Sequence, residues 1–229
     1  MRCSLFGKLA AKRDFIAVLA PRDFLNVWEP WMQSSVSASR QSLGGDWRQA
    51  YLAAPIWRFW LGAEICGETV LGAFMSSLDG LGRYYPLTLF AHAESGLAIP
   101  PPDIDAQEDW FSAAEEFLLS TLDKDVAYES ITGALDRLSP PVHRTTDAVP
   151  SGTMAIMTGT VAAPLGDRSF SDVFASLRAA NHASTYAAAS FWWTMGGDGF
   201  PPVALCCRRM PDPSLLDGML TGRFSSASR

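Results

Sequence analysis

Apolar residues follow two different spacings along this chain, and each spacing predicts a different secondary structure. Spacings of three and four residues predict helices over residues 21–45, 47–53, 106–122, 125–138, 169–177 and 214–220. Short apolar runs between glycines and prolines predict strands over residues 3–6, 56–61, 69–76, 84–91, 154–161, 188–194 and 203–207. Short links between successive strands favour antiparallel hairpins. The order of these elements predicts an α+β fold, an α/β sandwich with a largely antiparallel central sheet flanked by helices.

The first predicted helix contains residues that suggest where it bends, where it ends and which side faces water. Pro30 interrupts its apolar pattern, so we expect a kink or two abutting helices. Residues 34–40 are rich in serine and are expected to lie on the solvent side. Gly44 is expected to end the helix, and Asp46 is expected to cap the helix that follows.

A proline-rich connector over residues 95–105 is the best candidate for an internal boundary. Apart from that connector, the chain is expected to form a single domain over residues 1–222. Residues 223–229 are rich in serine and are expected to form a mobile tail.

Composition excludes several classes of protein. Hydrophobic residues make up 48% of the 229 residues and charged residues 18%, which is too apolar for a disordered chain. The net charge of −6 disfavours binding to nucleic acid through phosphate contacts, which usually requires a basic excess. No segment has the pattern of a membrane span or a secretory signal. The expected location is therefore the cytoplasm.

The residues that carry catalytic or metal chemistry show none of the usual patterns. The sequence has no Gly-x-Ser-x-Gly, no phosphate-binding loop and no His-Glu-x-x-His motif. Cys206 and Cys207 are adjacent, so they should point to opposite faces of a strand, and all four cysteines are expected to be reduced. His143 and His182 are expected to be structural or surface groups. We therefore expect no enzyme activity, no metal and no cofactor.

Three short stretches that contain charged residues are candidates for a binding surface. Residues 76–83 form either a binding loop or a hairpin turn in which Asp79 accepts hydrogen bonds from backbone amides and pairs with Arg83. Residues 7–15 form either a basic contact patch or a solvated loop between a strand and a helix, with Phe15 in the core. Residues 55–60 alternate between two faces, and their arginine between aromatic rings either supports the fold or marks a partner surface.

These stretches resemble motifs of the TagF family, also called ImpM, of proteins associated with bacterial type VI secretion. The resembling segments, in chain order, are Gly7-Lys8-Leu9 with Asp14-Phe15, then Phe24, Trp28 and Trp31, then Leu43-Gly44 with Trp47, then Tyr51-Leu52 with Pro55-Ile56-Trp57-Arg58-Phe59, then Ser77-Leu78-Asp79 with Gly82-Arg83-Tyr84 and Pro86-Leu87-Thr88, and finally Ser190-Phe191-Trp192-Trp193 and Met210-Pro211-Asp212. The chain departs from the family pattern at Ala10 and Arg13, where the family has proline and glycine, and at Ser76, where it has proline.

The resemblance implies a cytoplasmic accessory regulator without catalytic activity. Members of the family are understood to repress the secretion apparatus after translation, at least partly through a scaffold protein with a forkhead-associated domain. That scaffold is accordingly the expected partner. Seven motif residues are the candidates for partner binding: Lys8, Asp14, Trp57, Arg58, Ser77, Asp79 and Arg83.

Two alternative functions remain open at this point. The chain could be a structural subunit of the secretion apparatus, which would keep it in assembled particles. It could also be an unrecognised hydrolase that uses Ser77 together with Asp79.

Overall fold

The computed structural model describes residues 1–94, 97–123, 125–142, 153–157 and 160–224. Its strands are β1 (Cys3–Gly7), β2 (Ile16–Val18), β3 (Trp57–Leu61), β4 (Val70–Met75), β5 (Leu87–His92), β6 (Met154–Met157), β7 (Thr160–Ala162), β8 (Ala189–Thr194) and β9 (Val203–Arg208). Its α-helices are α1 (Arg22–Leu43), α2 (Trp47–Ala53), α3 (Ala63–Cys66), α4 (Glu108–Ser120), α5 (Tyr128–Arg137), α6 (Phe170–Ala180), α7 (His182–Thr185) and α8 (Leu216–Thr221).

Within the described residues, seven strands form one sheet in the order β2-β1-β5-β4-β3-β8-β9. Neighbouring strands of this sheet are antiparallel throughout. Strands β6 and β7 form a separate two-stranded hairpin. The sheet, with helices packed against it, confirms the predicted α+β fold and the predicted antiparallel hairpins.

Each face of the sheet buries its own hydrophobic core. On one face the Trp28 ring of α1 stacks against Phe59 of β3, which also stacks against Trp192 of β8. On the other face Trp60 and Phe111 are buried with the apolar sides of α4 and α5. The period of two in β3 produces this division, as the sequence pattern predicted, because alternate side chains of a strand point to opposite faces.

Helix α1 differs from the prediction at two places. It continues through Pro30 as one helix of 22 residues, so of the two expected outcomes, a kink or two abutting helices, the second does not occur. Ser35 and Ser39, expected on the solvent side, are buried. Their hydroxyl groups form hydrogen bonds within α1. The Ser35 hydroxyl donates to the Trp31 carbonyl oxygen, and the Ser39 hydroxyl donates to the Val36 carbonyl oxygen. A serine whose hydroxyl forms a hydrogen bond to a carbonyl oxygen of its own helix can be buried at little cost in free energy. The number of serines in a segment does not reveal such bonds.

Several boundaries also differ from the prediction. Asp46 makes no side-chain capping bond, because it lies inside a short 3-10 turn (Gly44–Asp46) that joins α1 to α2 without a break. Ser169 caps α6 and accepts a hydrogen bond from the Asp172 amide. The elements β2, α3 and α7 were not predicted, since each is only three or four residues long. His143 and residues 225–229 lie outside the described residues.

The proline-rich connector leads directly onto the same sheet. After it, α4 packs against β4 and β5, and α5 packs against β1. The expected single domain over residues 1–222 stays a prediction. In the described part of the chain, no helix is both long enough and apolar enough to cross a membrane.

We expect Gly72→Ala to destabilise the fold, because a side chain at this position of β4 has no room. A Cβ atom there would overlap the Phe59 ring and lie 2.8 Å from the Leu89 carbonyl oxygen. Overpacking of this kind costs about 1–3 kcal/mol of unfolding free energy. Urea denaturation measures the loss. Gly45→Ala is the matched control, since a Cβ at Gly45 meets open space, and a loss of equal size there would contradict the explanation.

Candidate functional site

Two of the predicted polar stretches meet at one end of the sheet. The loop from β1 to β2 contains residues 8–15, and the loop from β4 to β5 contains residues 76–86. Leu87 pairs with Gly7 on one side and with Met75 on the other, so both loops leave the sheet at the same end. Gly7 has a φ of +132°, and a side chain there would overlap the Pro86 carbonyl oxygen. Only glycine allows this close approach of the two chains.

The two loops are joined by hydrogen bonds, and we call residues 8–15 and 76–86 the interlocked loops. The Ser77 hydroxyl donates to the Lys8 carbonyl oxygen over 2.8 Å, and the Gly80 amide donates to the Lys12 carbonyl oxygen over 2.7 Å. The Tyr51 hydroxyl anchors the assembly to α2. It accepts from the Ser77 amide and donates to the Ser77 carbonyl oxygen.

Asp79 is the charged centre of the interlocked loops and has no solvent-accessible side-chain area. Its Oδ1 accepts from the amides of Leu81 and Arg83, each over 2.9 Å. Its Oδ2 lies 2.6 Å from Arg83 Nε and 3.0 Å from Lys8 Nζ. The predicted turn, in which Asp79 binds backbone amides and Arg83, is confirmed. The ion pair with Lys8 comes from the other loop and was not predicted.

Two opposing effects set the pKa of the Asp79 carboxyl group. Burial raises this pKa because it penalises the charged form. The hydrogen bonds from the Arg83 and Leu81 amides and from the Lys8 and Arg83 side chains favour the charged form and outweigh burial. The net result is a pKa well below the ordinary carboxyl value, so Asp79 is an anion at neutral pH.

The outer surface of the interlocked loops exposes a mixed set of side chains, which we call the loop tip: Arg13, Asp14, Phe15, Leu81 and Arg83. Asp14 is 96% exposed, Leu81 60% and Arg83 54%. Arg83 links the tip to the buried centre, because its guanidinium binds Asp79, the Arg13 carbonyl oxygen and, at 3.8 Å, Asp14. One of the two interpretations of residues 7–15 placed Phe15 in the core, but its side chain is half exposed, and residues 8–15 lead to the short edge strand β2 rather than to a helix.

Arg58 and Trp57 lie on β3, outside the interlocked loops, and both are buried. The Arg58 guanidinium binds Glu115 over 2.6 Å and Glu108 over 2.7 Å, and it lies above the Phe111 ring. Burial alone would lower the pKa of Arg58, but the two carboxylates raise it above its ordinary value. The Trp57 indole donates to the Met219 carbonyl oxygen on α8. Both residues therefore hold helices against the sheet.

The seven candidate residues thus separate into buried and exposed groups. Lys8, Ser77 and Asp79 are buried in the interlocked loops, and Trp57 and Arg58 are buried in β3. Only Asp14 and Arg83 reach the surface, so only these two candidates can touch a partner directly. Leu81 and Tyr51 were missed as site residues. The position of Leu81 between Gly80 and Gly82, at the end of a turn, was the sequence signal for its exposure.

The geometry around Ser77 argues against its use as a nucleophile. Its hydroxyl proton is directed at a backbone carbonyl oxygen, and Asp79 is occupied by two cations and two amides. A cleft of about 370 Å³ lies beside Ser77. Its lining side chains are apolar or hydroxyl-bearing, with no acid, base or thiol among them. Among the described residues, no group of three or more acidic, histidine or cysteine side chains could hold a metal ion.

Comparison with known proteins places this fold and these loops in a recognised class. The family model described as "TagF N-terminal domain, Type VI secretion system-associated" matches residues 4–138. The matched range begins in β1, ends just after α5 and includes both interlocked loops. The chain belongs to this TagF family.

A solved structure extends the similarity beyond the range of the family model. The chain is similar to PA0076 from Pseudomonas aeruginosa PAO1, with 27% sequence identity and a TM-score of 0.76. The alignment covers 99% of this chain and 97% of that chain. A comparison with curated proteins found no significant match.

We expect Asp79→Asn to lower the free energy of unfolding by about 3 kcal/mol at neutral pH. The substitution removes one partner of a buried ion pair and leaves the Lys8 ammonium group buried without its counter-charge. Chemical denaturation measures the loss. Asp14→Asn is the control, because Asp14 is almost fully exposed and its weak ion pair contributes little. Equal losses in the two variants would contradict a central role for Asp79.

The lowered pKa of Asp79 also predicts how stability depends on pH. A carboxyl group whose pKa is lower in the folded state stabilises the fold fully above its unfolded pKa of about 3.9. That contribution is lost as the pH falls below this value and through the folded pKa. The difference in unfolding free energy between wild type and Asp79→Asn should therefore be constant near neutral pH and shrink below about pH 4. A difference that grew on acidification would contradict this assignment.

Proposed function

We propose that this chain is a cytoplasmic, post-translational repressor of a type VI secretion system, and that it acts by binding a scaffold protein with a forkhead-associated domain. Membership of the TagF family supports the connection with type VI secretion. The choice of partner rests on the resemblance of the motifs to that family. The mechanism is mass action, because each scaffold molecule held by the repressor is removed from assembly.

The observation that carries this proposal is the rigid support of the loop tip. Leu81 and Arg83 are exposed, yet the amides of both donate to the buried Asp79 carboxylate. The backbone that carries Leu81 and Arg83 is therefore held by Asp79, and the tip presents apolar side chains beside charged groups. A surface ordered before binding loses less conformational entropy when the partner docks, which favours specific recognition.

We propose a binding function rather than an enzymatic one. The bonding of Ser77 and Asp79 supports this choice, because each group already has structural partners inside the interlocked loops. The absence of titratable side chains from the lining of the adjacent cleft supports it as well. General acid–base or nucleophilic catalysis requires such groups within reach of a substrate.

Leu81→Ser is expected to weaken binding to the purified scaffold about tenfold, because burial of a leucine side chain at an interface contributes roughly 1.5–3 kcal/mol. Its thermal melt should not change, since the Leu81 side chain is 60% exposed. Titration calorimetry and circular dichroism measure the two effects.

Leu97→Ser is the matched control for this experiment. Leu97 is also half exposed, but it follows the opposite end of β5 and lies close to Ile99, whose amide binds Thr69 just before β4. Equal binding by wild type, Leu81→Ser and Leu97→Ser would exclude the loop tip as the contact surface.

A pull-down from the cytoplasm of the source bacterium tests the choice of partner. With this chain as bait, we expect mass spectrometry to identify the forkhead-associated scaffold. The Leu81→Ser chain should recover less of it than wild type. Recovery of sheath or baseplate proteins without the scaffold would instead favour a structural subunit.

A further inference from the structure

Strand β9 is one edge of the seven-stranded sheet, and its hydrogen-bonding groups can be assigned to an inner and an outer side. In an antiparallel pair, residues alternate between those whose N–H and C=O groups both face the neighbour and those whose groups both face away. The Arg209 amide donates to the Ala188 carbonyl oxygen, which continues the β8–β9 ladder by one pair. Counting back from Arg209 in steps of two gives the residues whose backbone N–H and C=O groups face β8. They are Cys207, Leu205 and Val203.

A second hydrogen bond gives the same assignment independently. The Gly62 amide donates to the Ala189 carbonyl oxygen, which continues the β3–β8 ladder. Ala189, Phe191 and Trp193 therefore direct their backbone groups at β3, and the alternate residues of β8 direct theirs at β9. The pairing of Ser190 with Cys207 agrees with the first assignment.

The outward-facing residues of β9 are consequently Ala204, Cys206 and Arg208. Their side chains are exposed as well. Among the described residues, none makes a backbone hydrogen bond to this outer side. Natural proteins usually protect such an edge with proline or charge. Here Pro202 precedes the strand and Arg208 ends it, so its centre, from Ala204 to Cys206, has neither form of protection.

We propose that two copies of this chain associate by antiparallel pairing of their β9 edges, about a two-fold axis through Cys206. This register brings Cys206 opposite the Cys206 of the second copy and Ala204 opposite its Arg208. All three outward residues then pair in both copies. A two-fold pairing of one surface with itself also closes the assembly at a dimer.

Charge and side-chain size favour this register for a second copy of the chain. A pairing centred on Arg208 would place two arginines directly opposite each other, which is destabilising. In the proposed register each Arg208 lies opposite the small side chain of Ala204. The partly exposed Phe191 and Trp193 lie beside Cys206 and Ala204 on the same face, so the dimer would also join two apolar surfaces.

Cross-linking through cysteine tests the register. Residues in a hydrogen-bonded antiparallel pair have Cα atoms about 5.5 Å apart, so a short bis-maleimide should join Cys206 of the two copies. Cys3 and Cys66 are buried, and the Cys207 side chain packs against the core. We expect a covalent dimer from wild type and from Cys207→Ser, but not from Cys206→Ser. Equal cross-linking of Cys206→Ser would overturn the proposal.

Proline substitution tests the hydrogen bonds themselves. Ala204→Pro removes only an outward N–H, which the isolated chain does not use, and should weaken dimerisation about tenfold in analytical ultracentrifugation. Leu205→Pro removes a bond to β8 and should lower the melting temperature of the chain.

Cys206→Lys provides a second variant that keeps the backbone unchanged. It places two lysines directly opposite each other across the axis, on an exposed position that should not affect the monomer. Dimers that persist unchanged in both Ala204→Pro and Cys206→Lys would overturn the proposal, as would a wild-type chain that stays monomeric at every concentration. The test needs no scaffold, so it is independent of the proposed function.

Discussion

The buried carboxylate of Asp79 is the interaction on which the arrangement of both loops depends. A carboxylate with no access to water is costly unless every lone pair finds a donor. Here the donors come from its own turn and from Lys8 in the other loop. A movement of one loop relative to the other would therefore break a hydrogen bond or an ion pair to the Asp79 carboxylate. The same carboxylate orders the surface outside it, which is why the exposed part of the loops has a defined shape.

The sequence predicted the elements and the alternation of the sheet well, because these depend on neighbouring residues. It failed where a distant partner decides the outcome. The Ser39 hydroxyl donates within its own helix and also accepts from the Trp47 indole of the next helix, and no count of local polarity reports that second contact. Strand β2 exists only because β1 is beside it, since three residues rarely form a strand from their own preferences.

In the candidate site, too, contacts between residues near each other in the sequence were predictable and contacts with distant residues were not. The turn around Asp79 was predictable, because Asp79 and Arg83 are four residues apart. The contribution of Lys8 was not, since it is about seventy residues away along the chain and looked like part of a basic surface. Arginine between aromatic residues also left two possibilities open for Arg58. Its buried guanidinium is bound by two glutamates on α4, which follow it by 50 and 57 residues along the chain.

The pairing of β3 with β8 has a consequence for how the protein is made. Trp57 to Leu61 leave the ribosome about 130 residues before the strand that completes their hydrogen bonding. Until β8 has been synthesised, one edge of β3 stays unpaired, and this strand has large aromatic side chains on both of its faces. A fragment that ended at residue 138, where the family model ends, would keep that open edge permanently. The part of the chain after residue 138, about two fifths of its length, therefore contains the strand that closes this edge of β3.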